Sequence, residues 1–316
     1  LVIIGFKELG QALLKQALAI GHFANGMSVE VTVVDPLAKQ KEKKLLVRAP
    51  ELHCCGTLEF IDGTPVDLFV RQRLSEIFDD SESTVSVAIC DSDPQKSLTQ
   101  CMEIVPLLTP LNETMFVCLG EDEHISAVIE RYESFHRKIV PFGSSQIACS
   151  ADAIVRSDLD VMARAIHDKY RESRLAAGDS EENYPALWSW EYLKGDYRDA
   201  NREQADHYAV KLRTLGLRHI PLKKFGKGSS KSVAELQLSE GVVEKLAEAE
   251  HRRWCANRRL NGWRYGEERD NQRKVHPDLV AWDALDDSTR EYDRAPIRQL
   301  AETLDSLGYA VVADDR

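Results

Sequence analysis

Leu1-Val2-Ile3-Ile4-Gly5-Phe6-Lys7-Glu8-Leu9-Gly10 decides the fold of the first half of the chain. Four apolar residues, three of them β-branched, read as a short buried strand. Gly5 then allows a tight turn, and Gly10 allows the next helix to lie close against the strand. That helix is expected over Glu8–Ile20, where Leu9, Leu13, Gln16, Ala17 and Ile20 gather near one face. The turn carries the two outer glycines of a dinucleotide-binding fingerprint, with Lys7 in the middle position. A glycine there lets a pyrophosphate touch the backbone. Lys7 either blocks that approach or offers an ammonium to a phosphate.

Outward from this turn, short apolar runs alternate with amphipathic stretches. Strands are expected at 1–4, 29–34, 58–61, 84–89, 115–118 and 138–141, and helices at 8–20, 38–49, 68–77, 95–108 and 124–135. Residues 1–150 therefore read as an α/β doubly wound, Rossmann-like parallel sheet, whose ligand crevice lies at the carboxyl ends of the strands. Asp35 ends the second strand, where a carboxylate can accept ribose hydroxyls. It falls 25 positions after Gly10 (35 − 10), beyond the usual spacing of about 20, because Gly21–Met27 lengthens the connection. A Rossmann fold that keeps its shape without a dinucleotide stays open beside one that binds a nucleotide.

The run from Val2 through Gly10, Asp35, Ile61-Asp62-Gly63-Thr64 and Ile89-Cys90-Asp91-Ser92-Asp93 resembles the nucleotide-binding half of potassium-transport regulators. These are the Trk-type uptake regulators and the regulator-of-potassium-conductance domains. The resemblance implies that Gly5, Lys7, Gly10, Asp35, Asp62 and Asp91 surround NAD(H) or an adenine nucleotide. Lys7 departs from the pattern, so the alternative of no cofactor remains.

From Ser157 onward the composition shifts toward Arg, Glu, Tyr and Trp at helical spacing, and the chain repeats itself. Met162 through Tyr170 matches Leu246 through Trp254 at an offset of 84 (251 − 167). Trp190, Leu193, Arg198, Asn201, Leu212, Leu215 and Gly216 match Trp282, Leu285, Arg290, Asp293, Leu304, Leu307 and Gly308 at an offset of 92 (282 − 190). Two copies of one helical unit are expected, 151–222 and 241–316, paired about a pseudo-twofold axis and joined by a linker over 223–240.

In the second copy, His251-Arg252-Arg253-Trp254 precedes Gly262-Trp263-Arg264-Tyr265-Gly266, Arg269-Asp270, Lys274, His276-Pro277 and Arg290-Glu291-Tyr292-Asp293. This string resembles the ryanodine receptor repeat; the first copy is a degenerate relative that lacks the Gly-Trp-x-Tyr-Gly segment. The resemblance implies adenine-nucleotide binding between paired repeats, with Tyr170 and Trp254 as the stacking aromatics. His251 shares the helix face of Trp254, and Arg252 and Arg269 are candidates for phosphate contact. The plainer reading is that Trp263, Trp282 and the histidines pack the core.

A net charge of −11 argues against broad nucleic-acid binding, and seven scattered cysteines read as reduced thiols. His53-Cys54-Cys55 lacks a second ligand pair at zinc spacing. No run spans a bilayer, yet the opening without Met leaves room for an upstream membrane domain. The expectation is a non-catalytic, cytoplasmic sensor of a small nucleotide ligand, homo-oligomeric, with the cytoplasmic portion of an ion-transport protein as one setting. The alternatives are an interaction scaffold with vestigial sites and an NAD(P)-dependent oxidoreductase. The latter lacks support, since no Tyr is followed four residues later by Lys and no proton donor is marked.

Overall fold

The computed structural model describes residues 1–108, 114–120, 138–143, 160–222 and 238–314. They form two compact units, Leu1–Ala17 with Val29–Arg156, and Leu18–Ser28 with Ser157–Arg316. The lengthened connection Gly21–Met27 groups with the second unit. The helix expected at 124–135 and nearly all of the expected linker lie outside the described residues.

In the first unit, β1 (Val2–Ile4), β2 (Glu30–Asp35), β3 (Thr57–Asp62), β4 (Val87–Ile89), β5 (Thr114–Cys118) and β6 (Lys138–Phe142) form one parallel sheet in the order β3-β2-β1-β4-β5-β6. This is the doubly wound order whose direction reverses beside β1. The helices α1 (Glu8–Ile20), α2 (Ala38–Arg48), α3 (Leu68–Phe78) and α4 (Pro94–Ile104) intervene between strands. Val2, Ile4, Val34, Val70, Leu74 and Ile104 belong to a core between sheet and helices. The fourth strand is shorter than expected, and α4 stops at Ile104 because Pro106 cannot donate to a further helical turn.

Gly10 explains how α1 can start so near the sheet. A Cβ at that position would lie 2.4 Å from the Gly5 carbonyl oxygen, so no other residue fits without moving backbone. Gly5 itself has φ +83°, the left-handed region that glycine enters freely.

The second unit is mainly helical. It contains α5 (Val161–Ala176), α6 (Gly195–Thr214), β7 (Leu217–Pro221), α7 (Glu240–Leu260), the short pair β8 (Arg264–Tyr265) and β9 (Val275–His276), α8 (Asp287–Arg298), α9 (Leu300–Ser306) and β10 (Tyr309–Ala313). The register of β7 against β10 displays the internal symmetry. They pair antiparallel, Leu217 opposite Ala313, His219 opposite Val311 and Pro221 opposite Tyr309. His219 and Val311 are separated by the repeat offset of 92 (311 − 219), so a local twofold passes between them. Both copies also end their last helix on a left-handed glycine, Gly216 at φ +68° and Gly308 at φ +71°.

The histidine of each copy does the same structural work. His167 Nε2 donates to the Trp188 carbonyl at 2.8 Å, and His251 Nε2 to the Val280 carbonyl at 2.9 Å. Each ring lies beside one of two tryptophans related by the offset of 92, His167 5.9 Å from Trp190 and His251 5.7 Å from Trp282. Both tryptophans are buried. Among the described residues, no helix is long and apolar enough to cross a membrane.

Candidate functional site

Two places collect the residues singled out in the sequence. In the first unit, β1, β2 and β4 bring the Gly5–Gly10 turn, Asp35 and Asp91 to the carboxyl edge of the sheet. Asp35 is buried, at 6 % exposed. Its Oδ2 accepts from the Phe6 amide at 2.8 Å and from Lys41 Nζ at 2.6 Å, and its Oδ1 accepts from the Leu37 amide at 2.9 Å. Burial alone would raise its pKa, but Lys41 and the two amides hold it below the usual carboxylate value. Asp62 ends β3 alongside Asp35 and accepts from the Lys39 amide.

Asp91, just past β4, is equally buried and also kept ionised against its burial. Lys96 Nζ stands 2.7 Å from its Oδ2, and Lys7 Nζ 3.7 Å from its Oδ1. Lys7 also donates to Ser92 Oγ at 3.2 Å. Asp93 caps α4 through the Gln95 and Lys96 amides, with Pro94 in the first turn, so the backbone of Lys96 starts the helix beside Asp91. Lys7 therefore reaches from the glycine turn to the end of β4.

The second place is in the repeats. On α7, His251, Trp254 and Arg258 recur at helical spacing on one face. Trp254 lies 5.8 Å from the His251 ring at an interplanar angle of 22° and 5.0 Å from His276, edge to face. The Arg258 guanidinium stands over Trp254 at 5.6 Å and over Trp263 at 5.2 Å. Its Nε is buried without a hydrogen-bond partner. Burial pulls the Arg258 pKa down, with Arg269 and Arg253 adding to it.

The first copy repeats the arginine's place but not its ring partner. Arg174 lies 84 residues before Arg258 (258 − 174), as Tyr170 lies before Trp254. Arg174 stands 5.2 Å from the Tyr292 ring and 5.9 Å from that of Tyr184, and donates to the Tyr292 hydroxyl at 2.9 Å. Its Nε approaches Asp179 to 2.6 Å, off the hydrogen-bond direction. Tyr170, Tyr184 and Tyr292 remain substantially exposed.

Residues 232–313 match the family model of the RyR domain. The match covers the second copy and contains Trp254, Arg258, Trp263, Arg269 and His276. Exposed Arg269, inside the matched segment, acts electrostatically on Tyr170, Arg258 and His276 alike. His276 is pushed down to about 4 by burial and by the two arginines, so it is a neutral ring near pH 7. Its Nδ1 accepts from the Asp278 amide.

The five repeat residues chosen from the sequence thus divide. Arg269 acts electrostatically on Tyr170 and on Arg258, the residue that covers Trp254. His251 lies beneath Trp254, buried, with Nδ1 3.2 Å from Asp293. Arg252 faces elsewhere, donating to the Gly26 and Phe23 carbonyls. Arg174 and Arg258 were overlooked, although each follows its aromatic by four residues and both obey the offset of 84. A depression of about 460 Å³ beside Arg264, Glu268, Arg269 and Arg273 is open to solvent and unlike an enclosed ligand site.

Proposed function

We propose that the chain is a non-catalytic, ligand-responsive regulator whose paired repeats take an adenine nucleotide or a related nucleotide-derived ligand. The supporting observation is a pair of equivalent arginines set among aromatic rings, Arg174 over Tyr292 and Tyr184 and Arg258 over Trp254 and Trp263, with Arg269 acting on both Tyr170 and Arg258. The exposed ring of Tyr170 can accept a planar base, a stack contributing roughly 1–3 kcal/mol. Guanidinium groups beside aromatic rings suit phosphate, which they can grip with paired N–H donors. The match to the RyR domain and the resemblance of the first copy to the same repeat support this reading.

Isothermal titration with AMP, ADP, ATP and ADP-ribose tests it. Tyr170→Ala and Arg269→Ala alter exposed side chains and should each weaken binding about tenfold, near 1.4 kcal/mol. If none of the four ligands gives saturable heat with the unaltered chain, the proposal is lost and the scaffold reading takes its place.

The sheet order and the geometry of Gly5 and Gly10 favour a second reading for the first unit, a nucleotide domain akin to those of potassium-transport regulators. In that setting the output would be control of an associated transport domain, with the protein acting as a homo-oligomer.

A further inference from the structure

We infer that the crevice of the first unit is latched by its own lysines, so that Lys41 and Lys7 keep a dinucleotide out until they are drawn away. The inference concerns the first unit alone and does not depend on ligand binding in the repeats.

A dinucleotide makes two demands at this edge of a doubly wound sheet: a carboxylate for the ribose hydroxyls and free amides at the glycine turn for the pyrophosphate. Both are obstructed here. A carboxylate has about four lone-pair sites, and three of those on Asp35 are taken by the Phe6 amide, the Leu37 amide and Lys41. The Phe6 amide belongs to the glycine turn itself, so its commitment to Asp35 removes a phosphate donor at the same stroke. Lys7 occupies the middle position of the turn and crosses to Ser92 and Asp91. Lys96 completes the neutralisation of Asp91.

The latch is asymmetric. The carboxylates are almost wholly buried, whereas the side chains of Lys7 and Lys96 are about half exposed, at 53 % and 54 %, and that of Lys41 is 22 % exposed. The ammonium groups can therefore swing to solvent while the acids stay fixed. Removing them should uncover a preformed acidic edge under an intact glycine turn. Lys7→Gly restores the residue that allows close approach, and Lys41→Met removes the ammonium while keeping most of the apolar stem.

The test is a fluorescence titration of NADH against the full chain and its variants, with circular dichroism to establish folding. Compared with the unaltered chain, the double variant Lys7→Gly with Lys41→Met should bind NADH at least about tenfold more tightly, the value of one good polar contact. Adding Asp35→Ala should abolish the gain. Equal affinity of double variant and unaltered chain overturns the inference, whether both bind or neither does. A gain that survives Asp35→Ala overturns it too, by placing the nucleotide elsewhere. If the double variant fails to fold, Lys7→Gly alone carries the comparison, with a gain expected and equality fatal.

Discussion

Cys255, His251 and Asp293 make the contacts of a nucleophile, a base and its orienting acid. Cys255 Sγ lies 3.4 Å from His251 Nε2, and His251 Nδ1 lies 3.2 Å from Asp293 Oδ2. The surroundings speak against nucleophilic work. Cys255 is 3 % exposed, and the Nε2 proton points at the Val280 carbonyl. Timed alkylation with iodoacetamide and mass mapping should accordingly modify exposed Cys54 long before Cys255 in the folded protein; comparable rates would reopen a catalytic role. The histidine serves stability instead. Burial disfavours its charge, but the hydrogen bond to Asp293 leads the forces that push its pKa up to about 10 from 6.5. A raised pKa means that the contribution is complete below 6.5 and fades as pH rises through about 10. Urea midpoints should fall over that interval, and Asp293→Asn should flatten the fall. Trp254 was legible in the sequence because aromatic and histidine recur together in both copies. Arg258 was not, because arginine is common on helix surfaces and its lodging between two indoles is visible only in three dimensions.

Helices α6 and α7 meet through charge rather than hydrocarbon alone. Glu250 Oε2 accepts from Lys211 at 2.6 Å and lies 3.2 Å from His207 Nδ1, while Arg253 Nε donates to Glu250 Oε1 at 2.9 Å. Asn257 donates to Glu203 at 2.6 Å, and all six side chains are buried. Removing one partner from such a network leaves an uncompensated charge, so Lys211→Met should destabilise the fold by roughly 3–5 kcal/mol in chemical denaturation. The double change Lys211→Met with Glu250→Gln should recover part of that loss; no recovery would mean that packing, not charge, sets the effect. At the helix ends, Gly216→Ala and Gly308→Ala should each cost about 1 kcal/mol, since both replace a left-handed glycine. The α/β alternation and the repeat were readable from periodicity. The ionic seam was not, because its residues are spaced like those of any solvated helix face, and only the pairing of two such faces buries them.

For the molecule as a whole, acid is a predicted weakness. His22, in the second unit, is pushed down to about 4 chiefly by burial, and His276 likewise. Histidines held neutral in this way support the fold above about 6.5 and withdraw that support as pH falls toward 4, roughly 3 kcal/mol for His22 if its full shift is realised. Thermal melts at pH 7 and pH 5 should differ accordingly, and His22→Asn should narrow the gap. His22 belongs to the stretch Leu18–Ser28, whose loop composition hid its place in the fold. Its carbonyl accepts from His207 at 2.8 Å, Arg252 holds Phe23 and Gly26, and Ala24 packs beside Val243, Trp282 and Leu285. During translation this stretch leaves the ribosome some 180 residues ahead of His207 (207 − 22 = 185), so it must wait uncovered while most of the chain is made. Any fragment begun at Ser157 would lack a splinter of its own interior, and expression of the repeats by themselves should yield aggregate unless those early residues are spliced back.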